Sequence, residues 1–245
     1  MKKTALVTGG TKGIGLAIAK ALLNENYTVI LTYASDQVNA MQVNKDLFRE
    51  YGKMFHIIQK SMEKENDIKD FLSICKSDNL FSNGLDVVVL NAGCTDRTSW
   101  KELNWNQWMH VMDVNINAPS ELLRGLDSNL NYGASIIFIS SDMSIYPHAV
   151  SVPYTVSKAA VNGLTLSLVK EYSDRGIRVN AILPGFVDTP WQKKKPEEQK
   201  QRICDKIALH RFAKPEEIAE TTLNIIHSSY INGALIKVDG GYSYK

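Results

Sequence analysis

Thr4-Ala5-Leu6-Val7-Thr8-Gly9-Gly10-Thr11-Lys12-Gly13-Ile14-Gly15 is the stretch from which the fold is read. Thr4 to Thr8 has the apolar, β-branched character of a strand, glycines follow at once, and a helical pattern runs from Gly13 to Asn24. Glycine reaches backbone angles closed to other residues and lets a ligand approach the main chain. A helix that opens from such a turn presents unpaired N–H groups and the positive end of its dipole, which suits a phosphate. The spacing is Gly-x-x-x-Gly-x-Gly rather than Gly-x-Gly-x-x-Gly. Its place directly after the first strand favours a nucleotide diphosphate over a tight turn with no ligand.

Working outward, β-branched runs alternate with helical patterns to the end of the chain. Further strands are expected at Thr28 to Tyr33, Met54 to Gln59, Asp86 to Leu90, Ser135 to Ser140, Arg178 to Leu183 and Ala234 to Val238. Helices are expected at Gln37 to Tyr51, Asp67 to Lys76, Leu103 to Asn131, Val152 to Arg175 and Pro215 to His227. This order implies an α/β fold, a doubly wound parallel sheet of seven strands with helices on both faces. No repeat, low-complexity tract or linker interrupts it, so the expectation is one domain over residues 1–245. The irregular piece from Pro184 to about Lys214, with a helix at Pro196 to Ala208, is expected to be a substrate lid (about 185–214).

Composition narrows the classes. The chain has 44% hydrophobic and 22% charged residues and a net charge of +2, too little to argue for a nucleic-acid or membrane partner. Lys193-Lys194-Lys195 is followed at once by Glu197 and Glu198 and reads as a solvated loop. The three cysteines, Cys75, Cys94 and Cys204, are odd in number and far apart, which favours a reducing, cytoplasmic setting over a disulfide framework. Lys2-Lys3 opens no leader-like apolar run before Gly9, no apolar segment is long enough to span a bilayer, and scattered histidines give no metal-ligand spacing.

A second constellation lies in Ser141-Asp142-Met143 and Tyr154-Thr155-Val156-Ser157-Lys158. Tyr154 and Lys158 fall one turn apart on the same helix face. A phenol titrates at about pH 10 in water, and a nearby ammonium favours its anion. Lowering that value by roughly three units takes about 4 kcal/mol, within reach of one desolvated cation. Alone, such a pair is more often a solvated helix face.

With the glycine turn and that pair, the chain resembles the short-chain dehydrogenase/reductase family over nearly its whole length. The resemblance rests on Thr8, Gly9, Gly13 and Gly15, on Asn91-Ala92-Gly93, and on Asn115 in Asp113-Val114-Asn115. It continues through Ser141 thirteen residues before Tyr154, Tyr154-x-x-x-Lys158, Arg178-Val179-Asn180, Pro184-Gly185 and Asp188-Thr189-Pro190. Arg211-Phe212, Pro215-Glu216-Glu217 and Val238-Asp239-Gly240-Gly241 complete it.

The resemblance implies a Rossmann-type domain and an enzyme that passes hydride between a nicotinamide and a carbonyl or carbinol carbon. Tyr154 would be the general acid in reduction and the base in oxidation, with Lys158 lowering its pKa and holding the nicotinamide ribose. Ser141 would donate to the substrate oxygen and Asn115 would hold a relay water. Implied cofactor contacts are Gly9, Thr11, Lys12, Gly13, Ile14 and Gly15 in the turn, and Ser61 and Met62 where the family has an adenine-contacting Asp. Asn91, Ala92, Gly93, Tyr154, Lys158, Pro184, Gly185, Val187 and Thr189 complete the set, with no metal.

The second strand ends in Tyr33-Ala34-Ser35, with Asp36 just beyond, and Lys12 resembles the basic residue that meets a 2′-phosphate, so NADP(H) is favoured over NAD(H). Trp191 is expected to contact substrate, Met143, His148 and Ser151 to line the pocket, and Trp108 to pack in the core. The expected reaction is NADPH-dependent reduction of a small-molecule ketone to a secondary alcohol. Alternatives are an NAD-dependent alcohol or sugar dehydrogenase, a 3-oxoacyl-carrier-protein reductase, and remotely a non-catalytic nucleotide-binding protein. Arg175 matches one basic contact expected of a carrier-protein partner, while Asp127 to Gly133 contains no Lys or Arg. The family also implies a homotetramer.

Overall fold

A computed structural model describes residues 2–147, 151–193 and 195–244; His148 and Lys194 lie outside the described residues. The strands are β1 (Thr4–Val7), β2 (Thr28–Tyr33), β3 (Phe55–Gln59), β4 (Leu85–Leu90), β5 (Leu130–Ile139), β6 (Arg178–Pro184) and β7 (Leu235–Val238). They form one sheet in the order β3-β2-β1-β4-β5-β6-β7, with every pairing parallel. This is the expected seven-stranded Rossmann-like domain.

The helices are α1 (Gly13–Asn24), α2 (Gln37–Tyr51), α3 (Glu65–Ser77), α4 (Trp105–Met112), α5 (Ala118–Leu126), α6 (Val152–Glu171), α7 (Glu197–Cys204) and α8 (Pro215–His227). Because strand side chains alternate in direction, the sheet buries two apolar surfaces. Val7, Val87 and Ile137 meet Ile18 and Leu22 of α1, Val43 and Leu47 of α2, and Ile218 and Ile225 of α8. Leu6, Val88 and Ile136 meet Ile68 and Phe71 of α3, Leu122 and Leu126 of α5, and Val161 of α6. Each fully buried Leu or Ile contributes roughly 2 kcal/mol, so docking on the sheet holds these helices in place. No helix among the described residues is long and apolar enough to cross a membrane.

Several family-like motifs turn out to be parts of this frame. Arg178 is buried and donates to the carbonyls of Ile225, Ile226 and Ile231, holding the C-terminus of α8. Asn180 accepts from the Ala234 amide and donates to the Ile231 carbonyl. A Cβ on Gly185 would lie 2.8 Å from the Asp239 Cα, so only glycine lets β6 pass the turn after β7.

The long helix expected from Leu103 to Asn131 is divided. Between α4 and α5 the chain widens into a π-helix at Asp113–Asn117, and after α5 a 3-10 turn at Asp127–Asn129 leads straight into β5. Pro119 has no N–H, so the Asn115 carbonyl loses the donor an α-helix would offer four residues on. The Ala118 amide instead reaches back five residues, to Asp113. β5 also begins five residues before the expected Ser135, its start set off by a register shift opposite Leu85 to Val87 and by Gly133 at φ +74°. Helix α6 stops at Glu171, followed by a 3-10 turn and Gly176 at φ +61°.

The sheet order reverses between β1 and β4, which opens a crevice beyond their carboxyl ends, the usual ligand position in open α/β sheets. The glycine turn follows β1 there and Asn91-Ala92-Gly93 follows β4.

Candidate active site

A cleft of about 290 Å³ occupies that crevice. Gly9, Lys12, Gly13 and Ile14 line it from the turn, and Asn91, Ala92 and Gly93 from the end of β4. Ser141, Tyr154 and Lys158 line the far side, beneath Pro184, Gly185, Val187 and Thr189 after β6. Pro190, Trp191 and Gln192 continue the roof, and Ile139 and Ser140 complete the wall.

The turn is held open for a ligand by specific contacts. Gly9 and Gly13 lie at φ +62° and +47°, where a side chain is strained. Asn91 donates from Nδ2 to the carbonyls of Thr8 and Gly9, and Thr8 Oγ1 accepts from the amides of Asn91 and Ala92 at 3.0 Å each. A Cβ on Gly15 would come within 2.3 Å of the Gly9 carbonyl oxygen, so this glycine serves close packing of helix against turn. At the N-terminus of α1, Lys12 provides no side-chain cap and no acidic residue stands in the first turn. An uncapped, glycine-lined helix N-terminus fits a diphosphate, and the donor set is that of a dinucleotide site.

The far wall carries the polar constellation. Ser140 turns into the fold, its hydroxyl donating to the Lys158 carbonyl and Asn162 Oδ1. Ser141 turns toward the cleft, its Oγ accepting from the Met143 amide at 3.2 Å. Asn115, buried in the π-helix, is tied to protein. Its Oδ1 accepts from the Cys94 amide, and Nδ2 donates to the Cys94 carbonyl and Ser157 Oγ at 2.9 Å each. The residue thus clamps the segment after β4 that carries Gly93, where an added Cβ would lie 3.6 Å from Lys158 Nζ.

Lys158 is buried, donates to the Ile139 carbonyl at 2.7 Å, and stands 5.8 Å from the centre of the Tyr154 ring. Burial works against charge on both groups. It pushes the Tyr154 phenol up to about 12, with Asp142 and Cys94 adding to the rise and a hydrogen bond with Ser141 opposing it. It pulls Lys158 down to about 8. In the chain alone the ammonium therefore does not produce the lowered phenol expected from the Tyr–Lys spacing, because desolvation is the larger effect. Cys94 is likewise pushed up to about 11 by burial and stays a thiol at neutral pH.

Other expected site residues sit elsewhere. Thr11 is buried, and its carbonyl accepts from Asn39 Nδ2. Ser61 donates to Asp67 Oδ2 at 2.9 Å, and Met62 is buried in the core at φ +58°. Gly15, Asn115, Met143 and Ser151 support the site without lining the cleft. Ser151 hydrogen-bonds Thr95 Oγ1 at 2.9 Å. Trp108 is only partly buried and packs edge-on against Trp100 at 6.3 Å. Trp191 lines the cleft with its ring edge-on to Tyr154 at 6.3 Å. Lys12 forms an ion pair with Asp36, whose carboxylate also caps α2 by accepting from the Asn39 amide. Sequence spacing gave no sign of that pair, since its partners are 24 positions apart. Arg175, the candidate carrier-protein contact, pairs with Asp127 and stacks on Tyr172.

Known proteins resemble the chain in sequence and fold. The family model described as short chain dehydrogenase matches residues 3–200. A 3-oxoacyl-[acyl-carrier-protein] reductase of Aquifex aeolicus is 34% identical, over 98% of this chain and 96% of its own length. Glucose 1-dehydrogenase 2 of Bacillus subtilis is also 34% identical, over 98% of this chain and 94% of its own. The crystal structure of a short chain dehydrogenase from Burkholderia cenocepacia in complex with NADP superposes with a TM-score of 0.89, at 26% identity and 98% coverage of both chains.

Proposed function

The chain belongs to the short chain dehydrogenase family, oxidoreductases of CH–OH and C=O groups that bind a nicotinamide cofactor, and from that premise we propose that it reduces a ketone to a secondary alcohol with NADPH. The observation that carries the reading is the convergence of Ser141, Tyr154 and Lys158 on the cleft that the glycine turn also lines. An acid that keeps its proton at neutral pH is ready to deliver it to a forming alkoxide.

When bound, the nicotinamide supplies hydride to the carbonyl carbon. The chain's own groups do the rest. Ser141 donates to the carbonyl oxygen and stabilises the charge that develops there. Tyr154 delivers the proton, Lys158 keeps a positive charge near the phenol, and Asn115 fixes the Gly93–Cys94 segment between them. Gly9, Gly13, Ile14, Asn91, Ala92 and Gly93 would hold the dinucleotide from below, and Pro184, Gly185, Val187 and Thr189 from above. Trp191 would form an apolar wall for the substrate on the roof of the lid. Assaying a panel of ketones, 3-oxoacyl thioesters and sugars for NADPH oxidation tests the reading. Oxidation of NADPH by none of them, with NAD⁺-dependent oxidation of an alcohol or sugar instead, would replace it.

The Lys12–Asp36 pair supports a second reading of the cofactor. Lys12 favours a 2′-phosphate, whereas Asp36 could accept from the ribose diol of NADH and repel that phosphate. We favour NADPH because Lys12 lines the cleft and Asp36 does not. Lys12→Ala should weaken NADPH binding about tenfold and leave NADH within about twofold, while Asp36→Asn should strengthen NADPH. Fluorescence titration of both nucleotides reads this, and stronger NADH binding by the wild type would reverse the assignment.

A carrier-protein partner receives little support, because Arg175 is already paired with Asp127. Three free cysteines, Cys94 among them beside the site, favour a reducing cytoplasm. The exposed faces of α4 and α6 present Trp105, Val152 and Val156, which fits pairing of these helices in a homotetramer. Light scattering should give about four times the 27.4 kDa chain mass; a monomer would refute the assembly.

A further inference from the structure

Gln192 stands at the end of the turn that roofs the cleft. Its amide N–H donates to the Thr189 carbonyl at 2.9 Å, and its own carbonyl accepts from the Lys195 amide at 3.1 Å, so its main chain is fixed on both sides. The Thr189 methyl packs directly over the glycine turn, 3.0 Å from where a Cβ on Gly13 would sit. Gln192 lines the same cleft as Lys12, Gly13 and Ile14. Yet its Oε1 is cut off from solvent and finds no hydrogen-bond partner among the described residues. A buried polar atom without a partner is costly, and one that borders a ligand cleft on a docked turn points to a group supplied by the ligand.

Resting on the dinucleotide reading above, we propose that Gln192 is a cofactor-binding residue that closes the roof of the cleft by donating to the dinucleotide's diphosphate. A carboxamide carries an acceptor and a two-hydrogen donor, and a half-turn of its terminal torsion exchanges them. At the uncapped N-terminus of α1 the complementary ligand group is an anion, so the NH₂ end is the one that bonds. The turn then grips the diphosphate from the side opposite the glycines, and a hydrogen bond to a charged oxygen is stronger than one between neutral groups.

Gln192→Ala and Gln192→Glu separate this from a structural role. Fluorescence titration of the full chain should show Gln192→Ala weakening NADPH and NADH alike, by about tenfold. Gln192→Glu, which sets a carboxylate against the diphosphate, should weaken both further. Adenosine 2′-monophosphate, which carries no 5′-phosphate, should bind all three proteins equally. Thermal unfolding of the nucleotide-free Ala variant should match or exceed wild type, because its unmatched polar atom is gone. Wild-type affinity for NADPH in Gln192→Ala, or in Gln192→Glu, would overturn the inference and leave the proposed function standing. Failure of the wild type to bind either nucleotide would instead overturn the reading on which it rests.

Discussion

Replacing Tyr154 with Phe should lower turnover about a thousandfold while leaving the Kd for NADPH within about twofold. The substitution removes one oxygen and keeps the ring, so its edge-on packing against Trp191 survives and the cleft keeps its shape. What disappears is the acid that protonates the forming alkoxide. Water is a poor substitute, because the phenol lies deep enough for burial to hold its pKa at about 12. The residual rate would reflect orientation and the Ser141 hydrogen bond alone. A parallel rise in Kd would mean that Tyr154 contributes mainly to binding.

Lys158→Met should abolish measurable turnover and also stabilise the nucleotide-free protein at neutral pH. Methionine fills nearly the same volume without a charge. Lys158 titrates at about 8 when folded and at about 10.5 when unfolded, so folding disfavours its protonated form. Below pH 8 both states are protonated and the full cost is present, on the order of 3 kcal/mol. Between pH 8 and 10.5 the folded state gives up its proton first and the cost falls as pH rises; above that window it is gone. The variant forfeits the bond to the Ile139 carbonyl, an offset of about 1–2 kcal/mol. The net expectation is a gain of about 1–2 kcal/mol at pH 7 that vanishes by about pH 10. Urea unfolding at both pH values measures it, and a variant less stable than wild type at pH 7 would show that burial of Lys158 costs less than its bond contributes. Such a charge, retained at a cost to stability, is the signature of a group kept for chemistry.

The sheet was legible because its causes are local. Short, largely β-branched apolar runs at Val29 to Leu31 and Val87 to Val89 fit strands covered on both faces, and alternation with helices then favours parallel pairing. The fixed spacings of Ser141, Tyr154 and Lys158 were legible too, and the fold brings all three to one cleft. What stayed hidden depends on contacts between distant positions. The helical pattern carries on to Asn131 and the strand pattern starts only at Ser135, because nothing local shows that β5 must extend to Leu130 to pair with Leu85. Pro119 hinted that the helix could not run straight through Asn115, but the π-turn follows from where α5 docks. The pairing of Lys12 with Asp36 joins two loops, and so do the contacts that turn Ser61 to Asp67 and pack Met62 in the core. Gln192 follows the recognised Thr189-Pro190 motif, and only its buried, unmatched oxygen draws notice. The effect of burial on Tyr154 and Lys158 stays hidden for a related reason: spacing reveals proximity, while desolvation needs the whole fold.

The central claim, that Tyr154 is the proton donor in an NADPH-dependent ketone reduction, is tested most directly by single-turnover loss of NADPH absorbance with a ketone substrate, comparing wild type and Tyr154→Phe at saturating nucleotide. The account predicts rapid oxidation of NADPH by the wild type, with tightly bound but essentially unreacting NADPH in the variant. Equal single-turnover rates in the two proteins would contradict it.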